Sequence, residues 1–304
     1  MSSVCILTDI TAQFPQPTFP GQAFIRILPT RLEWGDQVIH DPKNLKLASF
    51  PPSARGGALP RLIIPEQQTL QEYFLRLSRE FDHILAIFAS NELCSLIQDS
   101  SRALEAMEHR LNLQIIDSHT TSIGLGYLVQ TASNLIAGGA TAADAERWIR
   151  NLIPHQYTLL CTSGLSYLHA SGYLDHAQAT AGEILNFLPI FTLEEGRLTP
   201  VEKVRNFRQV MDYYQEFLEE FDHFQYIAFV QGHNIKYRKP PAAPVCPGKF
   251  SQNPIYRAYP LKRSCHAYWT KIHQSLYNGK ILTISVKGRI WGKIFTCRPP
   301  SRNF

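Results

Sequence analysis

Polar side chains follow two apolar segments of the sequence, at points where a strand would end and a helix would begin. The residues concerned are Ser90, Asn91, Asp117, Ser118 and Ser122. In open α/β sheets ligands bind at the carboxyl ends of strands, and the free N–H groups of helix N-termini favour carboxylates and phosphates. Two such turns side by side would form a crevice that accepts an anion.

The same residue types also have a purely structural use. Ser, Thr, Asp and Asn are favoured at helix N-caps, where their side-chain oxygens accept hydrogen bonds from backbone N–H groups. For Asp117, Ser118 and Ser122, the residues alone favour capping over ligand contact. For Ser90 and Asn91 both interpretations remain open.

Strands and helices that could position these side chains alternate along the chain. Apolar segments typical of strands occur at 3–9, 23–32, 83–90, 113–117, 157–162 and 225–230. Apolar residues recur at helical spacing at Leu70, Phe74, Leu77 and Phe81, and again at Ala145, Trp148, Ile149 and Leu152. This alternation predicts an α/β fold with a largely parallel sheet. The Pro- and Gly-rich segment 44–60 predicts a long loop.

Sequence signatures of several enzyme classes are missing. The chain has no GxxxxGK phosphate loop, no strand–GxGxxG–helix fingerprint, no HExxH and no GxSxG. Its six cysteines form no CxxC pair, and no apolar run is long enough for a membrane helix. We therefore expect a cytoplasmic protein without a metal, a cofactor, a catalytic residue or integral membrane contact.

The net charge of +5 conceals two regions of opposite character. Residues 233–304 contain 14 Lys and Arg and no Asp or Glu, whereas the preceding part of the chain has 16 basic and 25 acidic residues. An acidic body argues against nucleic-acid binding, which needs cations on the contacting face. A basic tail that binds nucleic acid remains an alternative.

Four motifs, in order, resemble the DegV family of bacterial fatty-acid-binding proteins. They are "ILTDITAQFP", "ILPTRLEWGDQVIHD", "IIDSHTTSIGLGYLV" and "LPIFTLEEGRLTPVEKVR", which together extend over most of residues 3–232. The resemblance implies two α/β domains, the first with a parallel sheet between helices and the second with a mixed sheet. It also implies a long-chain fatty acid buried between the domains, carried rather than chemically changed and in some members presented to a fatty-acid kinase.

The resemblance also assigns a region for the fatty-acid carboxylate. That region comprises Arg61, Leu62, Ser90, Asn91, Asp117, Ser118 and Ser122. This chain departs from the family pattern at Arg61, Leu62, Ile63 and Ile64, where hydroxyl side chains are expected, and at Tyr173, where an Arg is expected. A guanidinium at Arg61 could replace a hydroxyl through a charge-assisted pair, but an exposed loop arginine is the favoured interpretation.

The resemblance divides the chain into an N-terminal domain at 1–155, part of a second domain at 156–232, and a tail at 233–304 unlike the family. An enzyme alternative is a small-molecule kinase subunit related to dihydroxyacetone kinase, which shares the general fold. Such a subunit needs a histidine that anchors the substrate, and the sequence singles none out.

The neighbouring reading frame offers an explanation for the tail. Trp269 has a single codon, and the shifted frame around it permits Thr-Gly-Pro-Lys, which resembles the family's closing motif. The shifted frame also permits acidic residues and a stop codon at Leu282–Thr283. These features indicate a one-base frameshift near residues 232–235. We therefore expect a poorly ordered tail and a second domain that lacks its last helix and strand, with an exposed sheet edge.

Overall fold

The computed structural model describes residues 3–39, 60–107, 111–162, 165–221, 224–231, 256–260 and 280–286. The long loop predicted at 44–60 lies outside the described residues except for Pro60. The proposed frameshift junction at 232–235 lies outside them as well.

Strands and helices alternate through the described chain. The strands are β1 (Val4–Thr8), β2 (Ile25–Ile27), β3 (Arg31–Trp34), β4 (Gln37–Ile39), β5 (Arg61–Ile63), β6 (His83–Phe88), β7 (Leu113–Asp117), β8 (Gln156–Cys161), β9 (Leu188–Glu194), β10 (Arg197–Val204), β11 (Phe224–Gln231), β12 (Tyr256–Pro260) and β13 (Lys280–Val286). The α-helices are α1 (Gln67–Glu80), α2 (Leu96–Glu105), α3 (Ser122–Ala137), α4 (Ala142–Leu152), α5 (Leu165–Ala170), α6 (His176–Ile184) and α7 (Phe207–Glu219). The α/β fold expected from the sequence is confirmed.

The first sheet is parallel and has the strand order β2-β1-β6-β7. Its strands are nearly continuous apolar runs, because helices cover both faces of such a sheet. One face packs on α3 and α4 through residues such as Ile6 and Leu128. The other packs on α1 and α2 through residues such as Leu7 and Phe74. The parallel pairing brings the carboxyl ends of β1, β6 and β7 to one edge.

The predicted helices form, with one correction. Leu70, Phe74 and Leu77 of α1 are buried. Ala145, Ile149 and Leu152 of α4 are also buried, and the Thr141 side chain caps this helix by accepting a bond from the Asp144 N–H. Trp148 was expected on the same face, but it is 57% exposed. It lies at the margin of the apolar stripe, where a large ring stays partly in solvent.

The apolar segment 23–32 was expected as one strand but forms two. β2 pairs with β1 in the parallel sheet, whereas β3 joins a separate three-stranded antiparallel sheet of order β4-β3-β5. Pro29 lies between them, and a proline cannot donate a ladder hydrogen bond. The chain therefore leaves the first sheet at this point.

The second sheet has six strands in the order β10-β9-β8-β13-β11-β12. Its neighbouring strands are antiparallel throughout the described residues, whereas the resemblance implies a mixed sheet. α7 packs on this sheet through Val210, Tyr214 and Leu218 in a shared apolar core.

Two strands of the second sheet come from beyond residue 232. β13 lies between β8 and β11, and β12 pairs with the other side of β11. In the described chain these two strands cover both sides of β11, and the edges of this sheet are β10 and β12. The rest of the tail lies outside the described residues.

A glycine fixes the approach of α3 to the turn that follows β1. A Cβ added at Gly126 would overlap the backbone carbonyl of Gln13, and neither backbone can move as a flexible side chain could. We expect Gly126→Ala to lower the free energy of unfolding by about 3 kcal/mol, the upper range for an overpacked contact. Urea denaturation measures this loss.

Gly138 provides the matched control at the other end of α3. A Cβ added there would meet the nearest backbone oxygens at 3.4 Å, an ordinary contact. Gly138→Ala should therefore be neutral or slightly stabilising. Equal stability of the two variants would contradict the close approach of α3 to Gln13.

Candidate ligand-binding site

Asp9 is buried where β1 ends and connects this strand to β6. Its Oδ1 accepts hydrogen bonds from the N–H of Thr11 at 2.8 Å and from the Thr11 hydroxyl at 2.6 Å. Its Oδ2 accepts a 2.7 Å bond from the N–H of Ala89. These three hydrogen bonds compensate the buried carboxylate for the hydration that it loses on folding. Asp9 thus fixes the geometry of the strand ends.

The turn between β7 and α3 is held by its own side chains. Asp117 Oδ1 accepts a 2.9 Å bond from the N–H of His119, whose φ is 51°. The Ser118 hydroxyl accepts from the Thr120 N–H and lies 3.1 Å from the Thr120 carbonyl, to which it donates. Ser122 also has a positive φ, of 57°. Non-glycine residues in this region are uncommon and cluster at functional sites.

These contacts correct the capping interpretation. Thr121 is the N-cap of α3, and no side-chain capping bond is found for it within the described chain. The Ser122 hydroxyl donates a 2.7 Å bond to Gln13 Oε1 rather than capping α3. Asp117 and Ser118 stabilise the turn before the helix instead of the helix itself.

Ser90 and Asn91 lie in the turn that follows β6. The N–H of Asn91 donates to Asp117 Oδ2 at 3.2 Å, and the N–H of Ser90 donates to the Thr120 carbonyl at 2.9 Å. The β6 and β7 turns are therefore bonded to each other. Neither residue caps α2, whose N-cap is Ser95. The expected proximity of the two turns is what the structure shows.

A hairpin of the second domain packs against this polar edge. The Ser90 hydroxyl donates a 2.9 Å bond to the carbonyl of Gly196, in the turn between β9 and β10. Arg197 forms an ion pair with Glu92 at 2.9 Å. Gly196 has a φ of 84°, and a Cβ there would overlap the Ser90 side chain. Only glycine fits this turn so close to the first domain.

A hydroxyl pair makes a further bridge between the domains. Thr120 Oγ1 lies 3.3 Å from Thr158 Oγ1 on β8, and both side chains are buried. With the Gly196 contact, this brings β8 and the turn between β9 and β10 against the turns that follow β6 and β7. The polar edge is therefore at the junction of the two domains.

Arg61 and Leu62 lie on β5, in the small sheet, rather than in this cluster. β5 pairs with β3, so that Arg61 lies opposite Glu33. Within the described chain, no hydrogen bond or ion pair joins Arg61 or Leu62 to Ser90, Asp117 or their neighbours. Their assignment to a carboxylate site remains a prediction.

Three buried polar atoms near the strand ends have no hydrogen-bond partner among the described residues. They are Thr8 Oγ1, Thr30 Oγ1 and Asn91 Oδ1. A buried polar group without a partner costs free energy unless a ligand or water satisfies it.

The thiols of the described chain are not activated. Burial raises the pKa of Cys94, which lies beside Ser90, and raises the pKa of Cys5 and Cys161 to about 12. Reactive cysteines are exposed and have a lowered pKa, because the thiolate is the nucleophile.

The described residues also include no cluster of three or more side chains suited to a metal ion. No helix in the same part of the chain is long and apolar enough to cross a membrane.

Sequence reasoning missed Asp9 and Gly196. Asp9 follows an apolar strand in "ILTDITAQFP", so the rule applied to Asp117 could have found it. Gly196 lies in "LEEGRL" between two apolar segments, which indicates a hairpin turn. No local signal could have placed that turn against Ser90, because 106 positions separate the two residues.

The fold and this edge define an α/β protein in which the second sheet meets the polar strand ends of the first. A family model described as "Uncharacterised protein, DegV family" matches residues 3–238. A DegV domain-containing protein of Caldanaerobacter subterraneus is 26% identical over 217 residues, which cover 70% of this chain and 77% of that protein. The chain therefore belongs to the DegV family.

Solved structures with the same fold cover nearly the whole chain. A structure described as "Fatty Acid Binding of a DegV family Protein from Thermus thermophilus" has a TM-score of 0.68 at 18% identity, over 93% of this chain and 100% of that one. The Streptococcus pneumoniae Fatty Acid Kinase (Fak) B3 protein loaded with linoleic acid has a TM-score of 0.67 at 15% identity, over 94% of this chain and 100% of that one. At these identities the similarity shows the fold.

Proposed function

We propose that this chain binds a long-chain fatty acid between its two domains, with the carboxylate at the polar strand ends. The observation that carries the proposal is the contact of the β9–β10 turn with Ser90, which places the second domain over that edge. The fatty acids bound by the structural neighbours support the choice of ligand.

The proposed head-group region contains the residues predicted from the sequence, but their proposed roles differ. Ser90, Asp117, Ser118 and Ser122 already bond to protein groups, so we propose that they shape the pocket wall. Asn91 Oδ1 is buried with no hydrogen-bond partner among the described residues, and we propose that Asn91 contacts the ligand. Arg61 and Leu62 would approach the head group from the small sheet.

The acyl chain would supply most of the affinity. Each methylene that leaves water contributes about 0.8 kcal/mol, whereas one net hydrogen bond contributes about 1 kcal/mol. A long chain therefore dominates binding, and the polar contacts set its orientation. This division of energy suits a carrier that accepts several acids of similar length.

We further propose that the protein is a cytoplasmic carrier rather than an enzyme and that it presents its fatty acid to a kinase. The raised pKa of Cys94 supports the absence of thiol chemistry at this edge. The name of the Fak B3 neighbour supports the choice of a kinase as partner. The proposal includes no cofactor and no nucleic acid.

Calorimetric titration of the delipidated chain with oleate tests the ligand. We expect saturable binding of one oleate per chain, with a negative heat-capacity change from apolar burial. A short-chain acid such as butyrate keeps the carboxylate and should bind too weakly to measure. Equal binding of both acids, or no saturable oleate binding, would contradict a fatty-acid site.

A further inference from the structure

The first and second sheets have separate apolar cores. The cores on the two faces of the first sheet include Ile6 and Phe74, and the core of the second sheet includes Tyr214. Among the described residues, no member of the second core belongs to either of the others. Units with separate cores move relative to each other unless a large apolar interface joins them. We call the described parts of 3–152 the first unit and those of 156–286 the second unit.

One short segment connects the two units. α4 ends at Leu152 and β8 begins at Gln156, and a single turn of 3-10 helix, Ile153–His155, lies between them. The described strands before this segment belong to the first sheet or the small sheet, and those after it belong to the second sheet. Hinges are typically a few residues at the ends of elements, which absorb a change in φ and ψ. Ile153–His155 has that position.

The β9–β10 turn extends from the second unit to the first as a rigid element. Its two residues, Glu195 and Gly196, have φ values of 49° and 84°, and Glu194 lies opposite Arg197 in the ladder. A two-residue turn with positive φ at both positions is of type I′, whose twist matches that of the flanking strands. The turn therefore holds Gly196 and Arg197 in fixed positions relative to the second sheet.

The loop after β6 receives this turn. The Ser90 hydroxyl donates a 2.9 Å bond to the Gly196 carbonyl and accepts a 3.2 Å bond from the N–H of Glu92. Glu92 Oε2 accepts bonds from Arg197 Nε at 3.0 Å and from Arg197 Nη2 at 2.9 Å. The Arg197 and Glu92 side chains are 70% and 40% exposed, so water weakens their attraction. These contacts can therefore break while both cores stay intact.

We propose that the β9–β10 turn is a clasp whose release opens the two units about Ile153–His155. The part of this inference that concerns the ligand rests on the proposed function: opening admits and releases the fatty acid. Thr120 and Thr158 are buried where the units meet, with their Oγ1 atoms 3.3 Å apart, and opening exposes both to solvent. The rate of ligand exchange then depends on the clasp, which lies outside the proposed head-group contacts of Asn91.

Charge reversal in the clasp tests this inference. Arg197→Glu places two carboxylates side by side, whereas Glu92→Arg combined with Arg197→Glu restores an ion pair. In the single variant, bound oleate should exchange with isotope-labelled oleate about fivefold faster, the upper range for an exposed ion pair. Amide hydrogen exchange in the peptide that contains Ser118–Thr120 should also become faster, because opening exposes this turn. The combined variant should recover both wild-type rates.

Arg150 provides the matched control. It forms a 2.8 Å ion pair with Glu146 on α4, within the first unit, and its side chain is also exposed. Arg150→Glu creates the same repulsion between two carboxylates but should change neither rate.

The two measurements separate this inference from the function on which it rests. A wild-type chain that does not bind oleate overturns the proposed function, and hydrogen exchange then tests the clasp by itself. Unchanged hydrogen exchange in Arg197→Glu overturns the clasp. Faster hydrogen exchange with unchanged oleate exchange overturns its role in ligand entry. A combined variant that keeps the faster rates also overturns the clasp, because the ion pair would not be their cause.

Discussion

Replacing Asp9 with alanine should destabilise the first domain by about 3 kcal/mol, because two backbone N–H groups and one hydroxyl lose their acceptor. The donors are those of Thr11 and Ala89, and the bond to Ala89 is buried. Loss of this acceptor disconnects the end of β1 from β6. Urea denaturation should show a lower midpoint with an unchanged slope.

Two further variants show whether the carboxylate itself is required. Asp9→Asn keeps the shape but turns an amide N–H₂ toward one of the donors, so we expect an intermediate loss. Asp212→Ala removes an exposed carboxylate on α7 and should change stability by less than about 0.5 kcal/mol. An Asp9→Asn variant as stable as wild type would contradict the role assigned to the carboxylate.

Ending the chain at Gln231 should disrupt the second domain. β11 pairs with β12 and β13, and both strands lie beyond that point. The truncated chain would retain β11 with no strand beside it and would expose one side of β8. Unpaired strand edges favour aggregation. Size-exclusion chromatography should show oligomers, and hydrogen exchange should show lost protection in β8 and β11.

A frame-restored chain extends this experiment to the proposed frameshift. The frame shifted by one base after Gly232 permits a family-like continuation, and a synthetic gene can encode that continuation in place of residues 233–304. We expect the product to be monomeric and more stable than the 304-residue chain. A frame-restored chain that is less soluble, or a resequenced locus whose frame is intact with no alternative downstream reading, would contradict the frameshift.

The strands and helices predicted correctly from the sequence are those that depend on the pattern of neighbouring residues. The strand expected at 113–117 is β7, and the helix expected near Ser122 is α3. In each of them an apolar run borders on polar residues, and this pattern of neighbouring residues is enough to predict the element. The single strand expected at 23–32 failed because Pro29 ends the pairing, a signal present in the sequence but not used.

Other features depend on contacts between distant parts of the chain. Ser90 was an equal candidate for a cap or a ligand contact, and its hydroxyl instead bonds to Gly196 in the other domain. The sequence pattern does not distinguish Thr8 and Thr30 from other threonines, although their hydroxyl groups are buried with no hydrogen-bond partner in the part of the chain that the structure describes. Burial without a partner is a property that only the packed structure determines.

Native mass spectrometry of the intact chain purified from bacteria tests the proposed fatty-acid site most directly. We expect one non-covalently bound long-chain fatty acid per chain, which exchanges with added isotope-labelled oleate and is released by solvent extraction. A folded chain that is empty after purification and takes up no labelled oleate would contradict the site.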